Sequence, residues 1–235
     1  MNVYKTVISI WALLLAVMAS GWISAQEQSL KPGINDSFKD PDVERYIKIF
    51  EGESREIFAK RHDIVNALNL KPGMDVADVG AGTGFFSMMM SERVAPGGVI
   101  HSVDIAENFI KHIETLSKKE GVRNIEGHVC TERSVELPAE SVDLVYICDT
   151  YHHFEYPYAT LASIHKALRP GGEVVIVDFE RIQGASSEWT LNHVRCGKGT
   201  VSDEVKDSGF DLVDDIDLGM KGQYVLRFRK RESKS

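Results

Sequence analysis

The stretch that most limits the possible fold is residues 74–86, which reads M-D-V-A-D-V-G-A-G-T-G-F-F. Its first half is an apolar run too short for a helix, which favours a strand buried on both faces. Glycines then occupy three alternate positions: Gly80, Gly82 and Gly84. Glycine permits a positive φ and lets a ligand approach the backbone closely, and a helix that starts after the loop directs its free N–H groups at it. The stretch therefore predicts a nucleotide-type pocket at the carboxyl edge of a sheet.

The glycine spacing narrows the choice of ligand. A dinucleotide-binding fingerprint reads G-x-G-x-x-G, whereas this loop reads G-x-G-x-G with Asp78 two residues ahead of it. The pattern D-x-G-x-G-x-G resembles the first motif of class I S-adenosylmethionine-dependent methyltransferases. The resemblance implies that Asp78 orients the amino group of the cofactor and that a loop of four residues lies against its methionine part: Gly80, Ala81, Gly82 and Gly84. A plain structural turn, or a site for another nucleotide, is the alternative interpretation.

Later segments predict the rest of the fold. The run A-L-R-P-G-G before Glu173 resembles the turn that enters the fifth strand of the same family. Near the C-terminus, residues 219–222 join two predicted strands and are too few for a crossover helix, so those strands must pair antiparallel. The sequence therefore predicts an α/β fold with a Rossmann-like, seven-stranded, mostly parallel sheet, an antiparallel last strand and helices on both faces. The resemblance covers Asp42 to Lys230.

Residues at the ends of the second and third predicted strands are assigned to the cofactor. Asp104 lies 24 residues after Gly80, at a strand end where a carboxylate can accept hydrogen bonds from both ribose hydroxyls. It could also cap the next helix, and the two roles are compatible. Ile105 is then expected beside the adenine. Many relatives carry an Asp after the third strand, and this chain departs from them, so we expect Thr131 or Glu132 to replace that contact.

The loop after the predicted fourth strand, residues 149–154, reads D-T-Y-H-H-F. Asp149 is assigned to the cofactor. The place of the loop, after the fourth strand and beside the glycine loop, is where the transferable methyl and the acceptor are expected to meet. Histidine can act as a base near neutral pH, so His152 or His153 is the predicted catalytic residue. The alternative is that one of them only packs. Two adjacent histidines do not define a metal site, which needs further ligands in a suitable geometry, and no metal is predicted.

The N-terminus has the order of a secretory signal peptide. Lys5 precedes an apolar run over residues 7–19, and small residues lead to Ala25. The run is short for a permanent membrane-spanning helix. We expect cleavage after Ala25, with Ala19 as a second possible site, and export of the protein to the periplasm or the medium, without a stable membrane span. An uncleaved N-terminal membrane anchor is the alternative.

The mature chain divides into two predicted parts, the second of which begins with a helical cap. Residues 26–41 are polar and are interpreted as a linker, and residues 42–235 as the methyltransferase domain. Its first part, residues 42–70, has helical spacing of apolar side chains and predicts a helical cap. The cap is interpreted either as a cover for the sheet or as a lid with three side chains toward the ligand: Glu53, Arg55 and Arg61.

The charge of the chain limits its partners. The formal net charge is −8, and it becomes −9 without the predicted signal peptide, which holds one Lys and no acid. Binding of nucleic acid requires a positive surface, so nucleic acid is not an expected partner. Because the sequence has no large insertion, we expect a small-molecule acceptor.

The predicted function is transfer of a methyl group from S-adenosylmethionine to an unidentified acceptor. The segment 181–200 is interpreted either as a cover for the acceptor site or as a packed crossover, and it carries three candidate residues: Trp189, His193 and Arg195. The alternative function is that of an exported protein that keeps this fold and binds a ligand or partner without catalysis.

Overall fold

The computed structural model describes residues 28–52 and 55–232. The predicted signal peptide, its cleavage sites and Glu53 lie outside these ranges. Within them, no helix combines the length and apolar character needed to cross a membrane.

The described residues form helices and strands that alternate along most of the chain. The helices are α1 (Val43–Phe50), α2 (Glu56–Ala59), α3 (Arg61–Ala67), α4 (Phe85–Val94), α5 (Glu107–Glu120), α6 (Pro157–Ala167), α7 (Glu188–His193) and α8 (Lys198–Asp207). The strands are β1 (Val76–Val79), β2 (Ile100–Asp104), β3 (Ile125–Val129), β4 (Val142–Cys148), β5 (Leu168–Phe179), β6 (Phe210–Asp215) and β7 (Gln223–Lys230). Single 3-10 turns occur at Asp36–Phe38 and Tyr151–His153.

All seven strands belong to one sheet in the order β3-β2-β1-β4-β5-β7-β6. The pairs from β3 to β5 are parallel, and β7 is antiparallel to both of its neighbours. This confirms the predicted fold. The order of the strands reverses between β1 and β4: β2 and β3 follow on one side of β1, and β4 and β5 on the other. Open α/β sheets bind ligands in the crevice at such a switch point.

Both faces of the central strands are buried. Val76 packs in one hydrophobic cluster and its neighbour Ala77 in another, and Tyr146 and Ile147 divide in the same way. Because adjacent side chains of a strand point to opposite faces, the two clusters lie on the two sides of the sheet. Helices cover both, which explains why the central strands read as continuous apolar runs.

Three elements differ in detail from the predictions. The helical cap predicted over residues 42–70 contains a break at Lys60, which ends α2 and precedes α3. The segment 181–200, for which the sequence predicts no helix, contains α7. The N-cap Ser187 accepts a hydrogen bond from the backbone N–H of Thr190 at 3.1 Å. The Pro-Gly-Gly turn at 170–172 lies inside β5, where the register with β4 shifts, as expected because a bulge tolerates Pro and Gly in a strand.

The described part of the predicted linker, residues 28–41, contacts the domain. The backbone N–H of Leu30 donates to Glu155 O at 2.9 Å, and Asn35 Nδ2 donates to His153 O at 3.1 Å. Lys31 Nζ donates to the carbonyl of Asn192 at 2.9 Å. This stretch therefore packs against the loop that carries the two adjacent histidines and against α7. The domain boundaries themselves stay a prediction.

Candidate functional site

One cavity of about 630 Å³ opens at the carboxyl ends of β1, β2, β4 and β5. Eleven of the predicted site residues line it: Asp78, Gly80, Ala81, Gly82, Asp104, Ile105, Thr131, Glu132, Asp149, His152 and His153. Gly84 does not line the cavity. It begins α4 with a φ of 80°, and a Cβ on it would lie 2.7 Å from Ile113 Cγ1. Glycine at this position therefore allows close packing against α5.

The glycine loop is held by the strand ends on either side of it. Gly80 has a φ of 77°, and a Cβ there would overlap the side chain of Thr150, so the loop passes directly against the end of β4. The backbone N–H of Gly82 donates to Asp104 Oδ2 at 2.8 Å. A Cβ on Gly82 would meet the Phe50 ring at 3.2 Å. The loop can approach β4 and the cap this closely only because Gly80 and Gly82 lack side chains.

Two buried carboxyl groups, those of Asp78 and Asp104, face the cavity beside the loop. Asp78 Oδ2 accepts a hydrogen bond from Ser87 Oγ at 2.6 Å, and Asp104 Oδ1 accepts one from the backbone N–H of Ala106 at 2.9 Å. Burial raises the pKa of Asp78 to about 7 and that of Asp104 to about 6. A ligand ammonium group or a pair of hydroxyls would compensate this cost by binding to the ionised carboxylates. The acids therefore fit the amino and ribose groups of S-adenosylmethionine.

Asp149 supplies a third carboxyl group at the end of β4. Its backbone has a φ of 47°, which is uncommon for a residue other than glycine. One oxygen, Oδ2, forms an ion pair with Arg55 of the cap. The other, Oδ1, is buried and has no hydrogen-bond partner among the described residues. Burial raises the pKa of Asp149 to about 7, although the Arg55 charge opposes the shift. Asp149 lines the cavity as a residue, although Oδ1 itself is enclosed by protein.

Aromatic side chains of the cap and its neighbours form one wall of the cavity. The Tyr46 ring meets Phe109 edge-on at 5.6 Å between centroids and lies 5.1 Å from Phe50. On the same helix end, Glu51 Oε1 accepts a hydrogen bond from Thr83 Oγ1 of the glycine loop at 2.8 Å. The cap is therefore fixed over the loop, and its rings offer a flat apolar surface suited to a ring such as adenine.

The lid residues named from the sequence are not equivalent. Arg55 lines the cavity, whereas Arg61 does not. The guanidinium of Arg61 lies 4.4 Å from the centroid of the Phe58 ring and donates to Phe58 O at 2.7 Å. Arg61 therefore has a packing role within the cap.

The far end of the cavity contains three histidines. His152 is buried, and its Nδ1 lies 2.7 Å from Asp178 Oδ1 at the end of β5. Nε2 of His153 and Nε2 of His193 are 3.3 Å apart. Trp189 stacks on His193 with 4.6 Å between ring centroids. Burial, followed by the neighbouring His152, lowers the pKa of His153 to about 2, so this imidazole stays neutral.

Of the three residues named in the segment 181–200, the structure brings two to the cavity. Trp189 and His193 line it through α7, whereas Arg195 does not. The Arg195 guanidinium is buried against Glu204, with both nitrogen–oxygen distances at 2.8 Å. The sequence analysis missed Asp178, although its place at the end of β5, beside β4, is the signal that puts it near His152.

Comparison with known proteins identifies related sequences. A family model described as a methyltransferase domain matches residues 77–176. The chain is 30% identical over 157 residues to the uncharacterized methyltransferase YdaC of Bacillus subtilis, covering 67% of this chain and 81% of YdaC. It is also 30% identical over 185 residues to phosphoethanolamine N-methyltransferase 1 of Zea mays, covering 77% of this chain. The chain spans only 34% of the length of that maize protein.

Solved structures share the fold. A SAM-dependent methyltransferase from Aquifex aeolicus superposes with a TM-score of 0.72 at 22% identity, over 81% of this chain and 100% of that one. The [4+2]-cyclase SpnF superposes with a TM-score of 0.66 at 15% identity, over 77% of this chain and 84% of that one. At these identities the likeness establishes the fold and not the reaction.

Proposed function

The chain belongs to the class I S-adenosylmethionine-dependent methyltransferases, and from this premise we propose that it methylates a small molecule bound at the histidine end of its cavity. One observation carries the proposal. A single cavity is lined both by the glycine loop with its buried acids and by the histidines, Phe179 and Trp189. The methyl donor and its acceptor can therefore meet in one enclosed space, which is the arrangement that transfer between two bound molecules requires.

The residues proposed to hold the cofactor lie at the carboxyl ends of three strands. Asp78 pairs with the ammonium group, Asp104 accepts from the ribose hydroxyls, and Asp149 lines the same cavity beside them. Ile105, Thr131 and Glu132 line the adenine end of the same cavity. The bound cofactor supplies an electrophilic methyl group on a sulfonium. Positioning by these residues supplies most of the rate.

The acceptor must lose a proton when it is methylated on oxygen, sulfur or a protonated nitrogen. Of the two predicted bases, His152 has the better geometry, because Asp178 fixes its Nδ1–H and leaves Nε2 as an acceptor of the proton. His153 has no such partner, and burial lowers its pKa to about 2. Its proton affinity is too low for a useful base near neutral pH.

The walls of the histidine end indicate the class of acceptor. Phe179 and Trp189 contribute apolar surface there and lie 5.5 Å apart between ring centroids. A flat apolar or aromatic molecule with one nucleophilic group fits this lining better than a highly charged one. The test is transfer of isotopically labelled methyl from S-adenosylmethionine into fractionated cell extract. Label in an organic-extractable small molecule supports the proposal, and label only in protein or nucleic acid contradicts it.

We also propose that the protein acts outside the cytoplasm, with residues 1–25 removed as a signal peptide before the domain at 42–235. The support is the charged, apolar and small-residue order of the N-terminus. N-terminal sequencing of the exported protein is expected to begin at Gln26. An intact Met1 on protein from the soluble cytosolic fraction contradicts export, and an intact Met1 in the membrane fraction supports the anchored alternative.

A further inference from the structure

The structure adds a third histidine to the two that are adjacent in the sequence. His193, 40 residues after His153, is carried by α7 to the same end of the cavity. One side-chain nitrogen from each of His152, His153 and His193 lies within 4.8 Å of the other two. We propose that these three residues bind one zinc ion, whose remaining coordination position faces the cavity.

The spacing of the histidine nitrogens fits tetrahedral coordination. Zinc binds imidazole nitrogen at about 2.0–2.1 Å, and tetrahedral geometry then places two ligand nitrogens roughly 3.3 Å apart. Nε2 of His153 and Nε2 of His193 are 3.3 Å apart. A direct hydrogen bond between the two imidazoles is the competing explanation for that contact, although this distance is long for an N–H donor. The experiment below separates the two explanations.

The hydrogen bonds of His152 favour a ligand role. Its Nδ1 lies 2.7 Å from Asp178 Oδ1, and its backbone N–H donates to Asp178 Oδ2 at 3.0 Å. The carboxylate is thereby fixed and holds the ring in the tautomer with hydrogen on Nδ1. The lone pair then lies on Nε2. Metal-binding histidines commonly show this arrangement, in which a carboxylate orients the ring and raises its basicity as a ligand.

Three protein ligands and an open position characterise catalytic zinc sites rather than structural ones. The consequence for the reaction rests on the proposed methyl transfer. A hydroxyl or thiol of the acceptor that binds the zinc has a lowered pKa and loses its proton to solvent. Its lone pair then forms the bond to the methyl carbon as the carbon–sulfur bond of the sulfonium breaks. When zinc is bound, His152 is a metal ligand and not the general base. The amount of zinc bound per chain therefore decides which of the two roles His152 has.

The test uses the full chain without a polyhistidine tag, freed of metal with a chelator and titrated with zinc in a calorimeter. A second sample is titrated with cobalt, because tetrahedral cobalt has characteristic absorption bands in visible light. X-ray absorption spectroscopy of the metal-bound samples identifies nitrogen ligands directly. The variant is His193→Ala, which removes one ligand from a half-buried position. The matched control is His128→Ala in a second cluster at the sheet edge, where His101 Nδ1 and His128 Nε2 are 3.0 Å apart.

The proposal predicts one zinc per chain, a tetrahedral cobalt spectrum with imidazole ligands, loss of the site in His193→Ala and its retention in His128→Ala. Asp178→Asn is expected to weaken zinc binding by about 10–100-fold. Absence of zinc binding by the folded chain, or loss of the single site in His128→Ala, overturns it. So does unchanged affinity in His193→Ala. Titration of the same samples with S-adenosylmethionine keeps the two proposals separate, because cofactor binding uses the other end of the cavity.

Discussion

Arg55 of the cap forms an ion pair with Asp149 at the end of β4, so the cap and the sheet are joined directly across the cavity. Arg55 Nη1 also donates to Phe50 O at 3.1 Å, which fixes the end of α1. Asp149 also lines the cavity. The ion pair therefore links the position of the cap to that of a residue proposed to hold the cofactor.

Replacing Arg55 with Gln is expected to lower the free energy of unfolding by about 1–3 kcal/mol, because Asp149 then lies buried without a charged partner. It is also expected to weaken binding of S-adenosylmethionine, since the cap loses its attachment to the sheet edge. Urea unfolding and calorimetric titration measure the two effects. Arg61→Gln is the control, because Arg61 belongs to the same cap and does not line the cavity. Equal cofactor affinities in the two variants would contradict the role given to Arg55.

Gly80→Ala tests the close approach of the glycine loop to β4. An alanine there adopts a φ of 77° and overlaps Thr150. Gly121→Ala is the matched control, because its φ is 73° but a Cβ there meets nothing within 4 Å. We expect Gly121→Ala to cost about 1–2 kcal/mol for the left-handed backbone alone. Gly80→Ala should cost about 1–3 kcal/mol more for the overlap. Similar unfolding free energies for the two variants would disprove the contact.

Asp78 predicts a pH dependence of cofactor binding. Its pKa is raised by burial to about 7, and the ammonium of the ligand favours the carboxylate, so binding lowers this pKa and releases a proton. Affinity is therefore expected to rise between about pH 6 and pH 8. Calorimetry in buffers of different ionisation enthalpy counts the protons released. In Asp78→Asn we expect the proton release measured near pH 7 to disappear. Proton release that persists in this variant would exclude Asp78 as its source.

The same shift affects the stability of the protein without ligand. Because the pKa of Asp78 is about 7 when folded and its ordinary value is 3.8, the native state binds more protons than the unfolded state between these values. Its contribution to stability is present below about pH 4 and is lost as the pH rises to about 7. Thermal unfolding over this range, compared with Asp78→Asn, measures it. A contribution of Asp78 that grows with pH would contradict the shift.

The parts of the site that are local in the sequence could be predicted from it. Residues 76–86 hold a strand, a loop and a helix start in one run, and Asp104 follows at the end of the next strand. The antiparallel pairing of β6 and β7 followed from the shortness of their connection. In each case the prediction depends on residues that are neighbours in the sequence. Their geometry is determined by local backbone and side-chain properties.

The parts that depend on long-range packing could not be predicted in the same way. The sequence assigns Asp149 to the cofactor without its partner, because Arg55 lies 94 residues away and reaches Asp149 only through the packing of the cap on the sheet. His193 joins His152 through α7, which the sequence places at the acceptor site in only one of two interpretations. The sequence shows which residues carry chemistry, and the packing of the cap and α7 decides which of them meet.

Calorimetric titration of the full chain with S-adenosylmethionine and S-adenosylhomocysteine tests most directly whether the cavity is the cofactor site. We expect one molecule bound per chain, and an affinity about 10–100-fold lower in Asp104→Ala, where ligand and loop lose a charged acceptor. Glu107→Ala is the control, because Glu107 is an exposed acid that pairs with Lys111. No binding by the folded chain, or binding that Asp104→Ala leaves unchanged, would contradict the assignment of this cavity to the cofactor.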